Sequence, residues 1–399
     1  MDMKIILILG SGISFPTGLP CAKKITDSIL SDEWQSCSDE IFRPGPEPNQ
    51  HFRADNLAPR LQQFLKLIKE YADAYYSNKH RPEANYEDLY YLAQQIEDEE
   101  LGEIHNPAIL PFVAEIKNKT VALCGREQYG IKDLTFRELG WKACTFIECA
   151  LMHLLGTTKK PEGMDLIREL ALSPEVDVLD IFTLNHDTLV EKFLSLNSIQ
   201  YADGFGLPDG DVRFLNPSTY DKNIKVRLFK LHGSINWFWF RRHEDNIFID
   251  EYGIPINNDI WHCKNAKGED LDNLLGGPRL LIGTYNKIPN YGYGIFSEVH
   301  LRFQSILAER DLMVMSGYGW NDRGISLRLR EWLNSSMDKR LYLLHQNPES
   351  EIRDKSKSGM WHWYEPWVKE GRLVPIKQWL CDIKLSELIR IIKTHRSVL

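Results

Sequence analysis

Six short apolar runs constrain this chain more than any other feature: residues 5–9, 178–184, 227–231, 279–282, 312–316 and 341–345, each breaking off at glycine or polar residues. Little in them alternates, so both faces of each expected strand must be covered. That is the mark of a parallel sheet sandwiched between helices. Helical periodicity at 188–196, 301–310 and 324–337 lies between several of the runs. The expected fold class is therefore α/β, a Rossmann-like doubly wound parallel sheet, and ligands of such sheets bind at the carboxyl ends of the strands.

Two stretches do not fit that alternation. After the proline-rich RPGPEPNQ, the runs LAPRLQQFLKLIKEYADAYY, NYEDLYYLAQQIEDEE and LGWKACTFIECALMHLLG carry apolar residues at helical spacing, which predicts a mostly helical insertion. Further on, INWFWFRRHEDNIFIDEYGIPI alternates aromatic and polar residues as hairpin strands do. The expected organisation is the start of the core over 1–42, the helical insertion over 43–160, and the remainder of the core over 161–399, with a small β-rich insertion near 235–275.

A net charge of −8 argues against a nucleic-acid backbone as the main partner, because such a partner needs a net basic surface. The seven cysteines form no CxxC pair, which suggests reduced, buried thiols in a cytoplasmic protein. No apolar run approaches the roughly 18 residues that span a bilayer, so no membrane is expected as a partner.

The chemistry gathers where the apolar runs stop. The first ends in GSGISFPTGLP, with glycines at 10, 12 and 18. A strand ending in G-x-G exposes backbone N–H groups and leaves no Cβ in the way of a pyrophosphate. The spacing is not the dehydrogenase G-x-G-x-x-G, and it serves a tight strand-to-helix turn equally well. The second run ends in TLNHDTL, where Asn185 and Asp187 either face a ligand or cap the next helix, and for Asp187 alone capping is the stronger reading. The third ends in KLHGSINW, which puts His232 at another strand end. A later one ends in MVMSGYGWND, where Ser316, Gly317, Tyr318 and Gly319 let backbone approach a ligand closely.

Taken in order, GSGIS…GLP, TLNHDTL, KLHGSINW and SGYGWND resemble the sirtuin superfamily, and within it the divergent bacterial sirtuin-like branch found in anti-phage defence systems. NYEDLYYL is similar to that branch's N-x-E-D-L helix. The resemblance implies NAD as substrate, with Gly10, Ser11, Gly12, Ser14, Gly18 and Pro20 around its pyrophosphate and nicotinamide ribose. It implies Thr183 among the NAD-contacting residues, Asn185 beside the ribose and the reacting water, and Asp187 on the carboxamide. His232 takes the place of the catalytic histidine, Ser316, Gly317 and Tyr318 approach the adenosine half, and Asn347 lies at the adenine ribose. The catalytic set so implied is Asn185, His232 and Asp187.

Departures from the family pattern bear on the reaction. Deacetylating sirtuins hold a structural zinc with paired CxxC motifs, whereas the corresponding interval here has only Cys263, with His243 and His262 nearby, so no zinc is expected. Leu184 stands where a glutamine precedes the key asparagine, and Cys21-Ala22-Lys23 replaces the D-F-R continuation. The expected activity is an NAD glycohydrolase yielding nicotinamide and ADP-ribose, the NAD-depleting effector of an anti-phage system. The alternatives are an NAD-dependent protein deacylase or ADP-ribosyltransferase, or a non-catalytic NAD or ADP-ribose sensor. A toxic effector implies restraint by a homo-oligomer or by a partner such as a helicase-like ATPase, an argonaute or a phage protein.

Overall fold

A computed structural model describes residues 3–37, 41–45, 57–79, 82–103, 106–124, 134–157, 159–244, 247–257, 259–356 and 359–396. The chain divides into two compact units, one of Met1–Leu19, Thr158–Leu274 and Lys287–Leu399, the other of Pro20–Thr157 and Leu275–Asn286.

The first unit is built on a seven-stranded sheet whose paired strands are all parallel: β1 (Met3–Leu9), β2 (Val176–Thr183), β3 (Tyr201–Ala202), β4 (Val226–Lys230), β5 (Leu312–Ser316), β6 (Arg340–Leu344) and β7 (Leu373–Ile376). Their order across the sheet is β7-β6-β5-β1-β2-β4-β3. The chain leaves β1 toward one side and returns to its other side at β5, so the topological switch point lies between β1 and β5. Leu9 pairs with both Ser316 and Thr183, Thr183 with Lys230, and Ser316 with Leu344. The carboxyl ends of β5, β1, β2 and β4 therefore stop level with one another.

Both faces of the sheet are covered, as the unalternated runs predict. On one face Ile5, Leu7, Leu9, Leu179, Ile181 and Val314 pack with Leu170, Phe193, Leu194 and Ile392 from helices. On the other, Phe182 stacks on Phe229 at 4.6 Å between ring centroids and meets Phe303 of helix Gly294–Glu309 at 4.7 Å. Burying aromatic rings of this size contributes most of what such a layer gains from water exclusion. Asp180, within the β2 run, is fully buried and is neutralised there by Arg227 at 2.5 Å and Arg310 at 3.5 Å.

One expected strand is corrected. Residues 279–282 form no strand; Leu280, Leu281 and Ile282 are buried in the second unit. Only Leu280 forms a single β-bridge; a short apolar run reports burial, and burial alone does not bring a strand ladder. The alternating aromatic stretch does form a hairpin, Phe238–Glu244 with Ile247–Pro255, at the centre of a five-stranded sheet completed by Asp272–Asn273, Val212–Leu215 and Phe205–Asp209.

The second unit is helical: Ala58–Ser77, Tyr86–Leu101, Leu110–Lys119 and Phe136–Gly156. Two of these helices start at capping boxes. Asn85 accepts from the Glu87 N–H at 2.8 Å while Asp88 accepts from the Asn85 N–H at 3.0 Å, and Thr135 and Glu138 form the second pair. No helix among the described residues is long and apolar enough to cross a membrane.

Candidate functional site

The loop after β1 lies against the loop after β5. Gly10 N–H donates to the Ser316 carbonyl and Gly12 N–H to the Gly317 carbonyl, both at 3.0 Å. A Cβ on Gly10 would sit 2.3 Å from the Gly317 oxygen, and one on Gly12 would sit 2.6 Å from the Gly317 Cα. Glycine is required at these positions because two backbones touch there. The turn then winds into a short 3-10 helix, Ser11–Thr17, which Gly18 closes in the left-handed conformation at φ 72°. Lys159 Nζ donates to the Gly18 carbonyl at 2.6 Å. Ser11 is exposed, and Pro20 opens the second unit.

Ser14 is buried on the inward side of that 3-10 turn and joins it to the end of β2. Its hydroxyl donates to Asp187 Oδ2 at 3.0 Å and accepts from Asn185 Nδ2 at 3.2 Å. Asn185 Nδ2 also donates to the Gly10 carbonyl at 3.2 Å, and the Asn185 N–H donates to Thr183 Oγ1 at 3.1 Å. Asp187 caps as well: its Oδ1 accepts from the Leu189 N–H at 3.0 Å, at the start of helix Leu189–Leu196. The carboxylate thus serves the helix with one oxygen and Ser14 with the other. Behind this turn the buried Lys230 Nζ reaches the Asp187 carbonyl and, at 2.8 Å, Glu191 Oε1.

His232 stands two residues beyond the end of β4, level with Asn185 two residues beyond the end of β2. The imidazole is buried, and its Nε2 lies 3.1 Å from Asp322 Oδ2. Asp322 begins helix Arg323–Ser335, where its Oδ1 accepts from the Ile325 N–H at 2.9 Å, and Tyr291 Oη donates to its two oxygens at 3.0 and 3.1 Å. Burial alone would raise this carboxyl, but the close His232 imidazole, the Lys287 charge and the Ile325 N–H together hold it well below the usual range.

Two further histidines flank the site. The His186 ring centroid is 6.3 Å from that of His232. Burial, then the charges of His232, Lys287 and Lys230, push its pKa far down. His300 is pushed to about 3 by burial, the Arg328 guanidinium and His232. Arg328 donates to His300 Nδ1 at 2.6 Å, so the ring carries its proton on Nε2 and donates to the Leu231 carbonyl at 2.9 Å.

The structure brings Gly10, Ser14, Asn185 and Asp187 into one hydrogen-bonded group, supports it through Thr183, and packs Gly12 on Gly317. Ser316 Oγ donates to the Leu344 carbonyl at 3.4 Å, and the buried Tyr318 hydroxyl donates to the Asp322 carbonyl at 3.0 Å. Asn347 is exposed at the start of helix Pro348–Lys355. Of the zinc-type side chains, Cys263 Sγ meets the Asp259 carbonyl at 3.1 Å and His262 Nδ1 meets Asp259 Oδ2 at 2.8 Å, while the His243 side chain lies outside the described residues. Sequence reasoning missed Asp322, although it closes the motif SGYGWND. It also missed Tyr291 and Lys287, which lie in and just after the one-turn helix Lys287–Asn290, too short to leave a periodic signal.

Residues 180–365 match the family model of the SIR2-like domain. That span holds Asn185, His232, Gly317 and Asp322 and omits β1 with its glycine loop. No curated protein matches the chain. Among solved structures, a triple mutant of a Sir2 homologue in complex with 2'-O-acetyl ADP ribose is similar at 10% identity and a TM-score of 0.36, over 98% of this chain and 92% of that one. A histidine-to-asparagine mutant of a Sir2 homologue with ADP ribose is similar at 11% identity and a TM-score of 0.34, over 99% and 94%.

Proposed function

We propose, from the similarity of residues 180–365 to the SIR2-like domain, that this chain hydrolyses NAD to nicotinamide and ADP-ribose. The observation that carries the reading is the pairing of Asn185 and His232 beyond adjacent strand ends, at the carboxyl edge of a parallel sheet. Hydrolysis breaks the bond between the nicotinamide nitrogen and the anomeric carbon, water supplies the new C–O bond, and one proton leaves to a base. Positive charge grows at the anomeric carbon on the way, so the enzyme must orient the ribose, hold the leaving group and place the water.

Asn185 suits water and ribose because its amide is held by Gly10 and Ser14. His232 suits the proton, and Asp187 places negative charge beside the same group. The Gly10 and Gly12 amides are already engaged, so a pyrophosphate at this turn would draw on the exposed Ser11. Leu184 and Cys21-Ala22-Lys23, standing where deacylases carry other residues, favour water over an acylated peptide as the acceptor. An enzyme that destroys NAD has to be restrained in a healthy cell. The resemblance of the strand-end motifs to the anti-phage branch supports reading it as an effector of that kind, controlled by a partner or by homo-oligomer formation.

The test is to incubate the purified full chain with NAD, with and without candidate activators, and to separate the products. Nicotinamide and ADP-ribose should form and should fall by at least about 10²-fold in His232→Ala and Asn185→Ala. Intact NAD under every activating condition overturns the reading, and release that requires an acylated peptide replaces it with deacylation.

A further inference from the structure

We propose that Asp322 is the positioning residue for His232: its carboxylate faces Nε2 of the imidazole and favours the tautomer protonated there, so that the basic lone pair resides on Nδ1. This rests on the NAD-hydrolysis reading for its role and on geometry alone for the contact. Nε2 lies 3.1 Å from Asp322 Oδ2, off the line of an aligned hydrogen bond, and both side chains are buried. An ionised carboxylate only accepts, so the nitrogen facing it must carry a proton. Tyr291 Oη and the Ile325 N–H also donate to Asp322, which fixes where its oxygens lie.

The surroundings of His232 leave the proton-holding role to Asp322. His186 faces it from the end of β2, His300 from helix Gly294–Glu309, and Lys287 and Tyr291 from the segment before that helix. His186 and His300 are held neutral, and Lys287 is a cation, so Asp322 supplies the negative charge among these groups. His300 adds a backbone restraint, since it donates to the carbonyl of Leu231, the residue before His232. Tyr291 joins the two arrangements, stacking on His300 at 3.8 Å while donating to Asp322. A histidine oriented by a buried carboxylate keeps one tautomer through a reaction, and loss of that carboxylate alone can cost orders of magnitude in rate.

The experiment uses the full chain labelled with ¹⁵N-histidine, without NAD, and follows the His232 ring nitrogens through a pH titration. Wild type should show the Nε2–H tautomer. Asp322→Asn keeps the helix cap and an acceptor but removes the charge, and should lower the His232 titration midpoint by about one pH unit or more. Tyr291→Phe removes the hydroxyl donor shared by the two carboxylate oxygens, makes the carboxylate a stronger acceptor, and should move the midpoint upward. It also serves as the second variant where Asp322→Asn does not fold.

With NAD, the acidic limb of the kcat/KM profile should follow the same shift in Asp322→Asn. Its kcat should fall by about 10²-fold and its KM should change by less than about threefold. A midpoint that stays put in Asp322→Asn, or an Nδ1–H tautomer in wild type, overturns the proposal. A wild-type dyad seen by titration in a chain that never cleaves NAD leaves the contact standing and removes the hydrolysis reading.

Discussion

Ser14→Ala tests whether the loop after β1 and the end of β2 act as one structure. The hydroxyl is buried and makes two hydrogen bonds, donating to the Asp187 carboxylate at 3.0 Å and accepting from Asn185 at 3.2 Å. A hydrogen bond to a charged group contributes about 1.5–3 kcal/mol and a neutral one about 1 kcal/mol. Alanine also leaves Asp187 Oδ2 in a buried place without this donor, while removal of a single oxygen opens little cavity. The expected loss is about 2–4 kcal/mol, a drop of roughly 5–12 °C in the melting of the parallel-sheet unit. Asn185 retains its bond to the Gly10 carbonyl but loses its second anchor, so NAD cleavage should fall by about 10²-fold. Thermal melting by circular dichroism and nicotinamide release read the two effects. Ser11→Ala, three residues away and exposed, is the control and should stay within about 0.5 kcal/mol of wild type. A Ser14→Ala protein that melts within about 1 °C of wild type and cleaves NAD at the same rate refutes the reasoning, whatever the control does.

Two further predictions concern stability. Gly317 and Gly371 both have φ +70°, but a Cβ on Gly317 would lie 2.7 Å from Ile13 N and 2.9 Å from the Gly10 oxygen, while one on Gly371 meets nothing within 4 Å. Gly371→Ala should cost about 1–2 kcal/mol for its backbone conformation alone and Gly317→Ala at least about 2 kcal/mol more, and equal melting temperatures for the two would refute the loop-contact explanation. Glu148, beside Tyr90 Oη at 2.8 Å in the helical unit, is raised from 4.5 to about 7 by burial, against the Tyr90 hydrogen bond and the Arg279 charge. The folded state then holds a proton that the unfolded chain has released, so stability is full below about pH 4.5 and falls as pH rises through 7. The fall is at most about 3 kcal/mol and is reduced by the solvent that reaches this partly exposed side chain. Urea unfolding across pH 5 to 8 should show that slope in wild type and lack it in Glu148→Gln, and parallel slopes would contradict the assignment.

The parallel sheet was legible because covering both faces forces whole strands to be apolar. β1, β2, β4, β5 and β6 all lie within or beside runs that stand out for that reason. β7 did not stand out: it is four residues long and contains Pro375. Proline is tolerated there because β7 is an edge strand, paired with β6 alone, and the Arg372 and Ile376 carbonyls turned toward β6 leave residue 375 facing outward. The run at 279–282 misled for the opposite reason, being buried with a single bridge at Leu280 and no ladder. At the site, strand-end position singled out Asn185 and His232, but it could not say what holds them. The partners of the Asn185 side chain lie over 170 residues back along the chain, and Asp322 lies 90 residues beyond His232. Contacts at that separation leave no spacing to read.

The glycine loop takes on a different meaning once those partners are known. G-x-G after a first strand suggests a phosphate, yet the Gly10 and Gly12 amides are given to the loop after β5. From there the contacts run in a closed ring. Gly12 meets Gly317, Gly10 holds Asn185, and the His186 carbonyl accepts from the Ile235 N–H at 3.0 Å. His232 meets Asp322, and Tyr318, next to Gly317, returns its hydroxyl to the Asp322 carbonyl. Four strand-end loops are thus tied together across the switch point, each by backbone or buried polar atoms. Groups linked in this way do not contribute independently, because loosening one leaves its neighbours unsatisfied in a buried place. The glycines therefore hold the frame on which Asn185 and His232 are set, and their odd spacing follows from where the neighbouring loop passes.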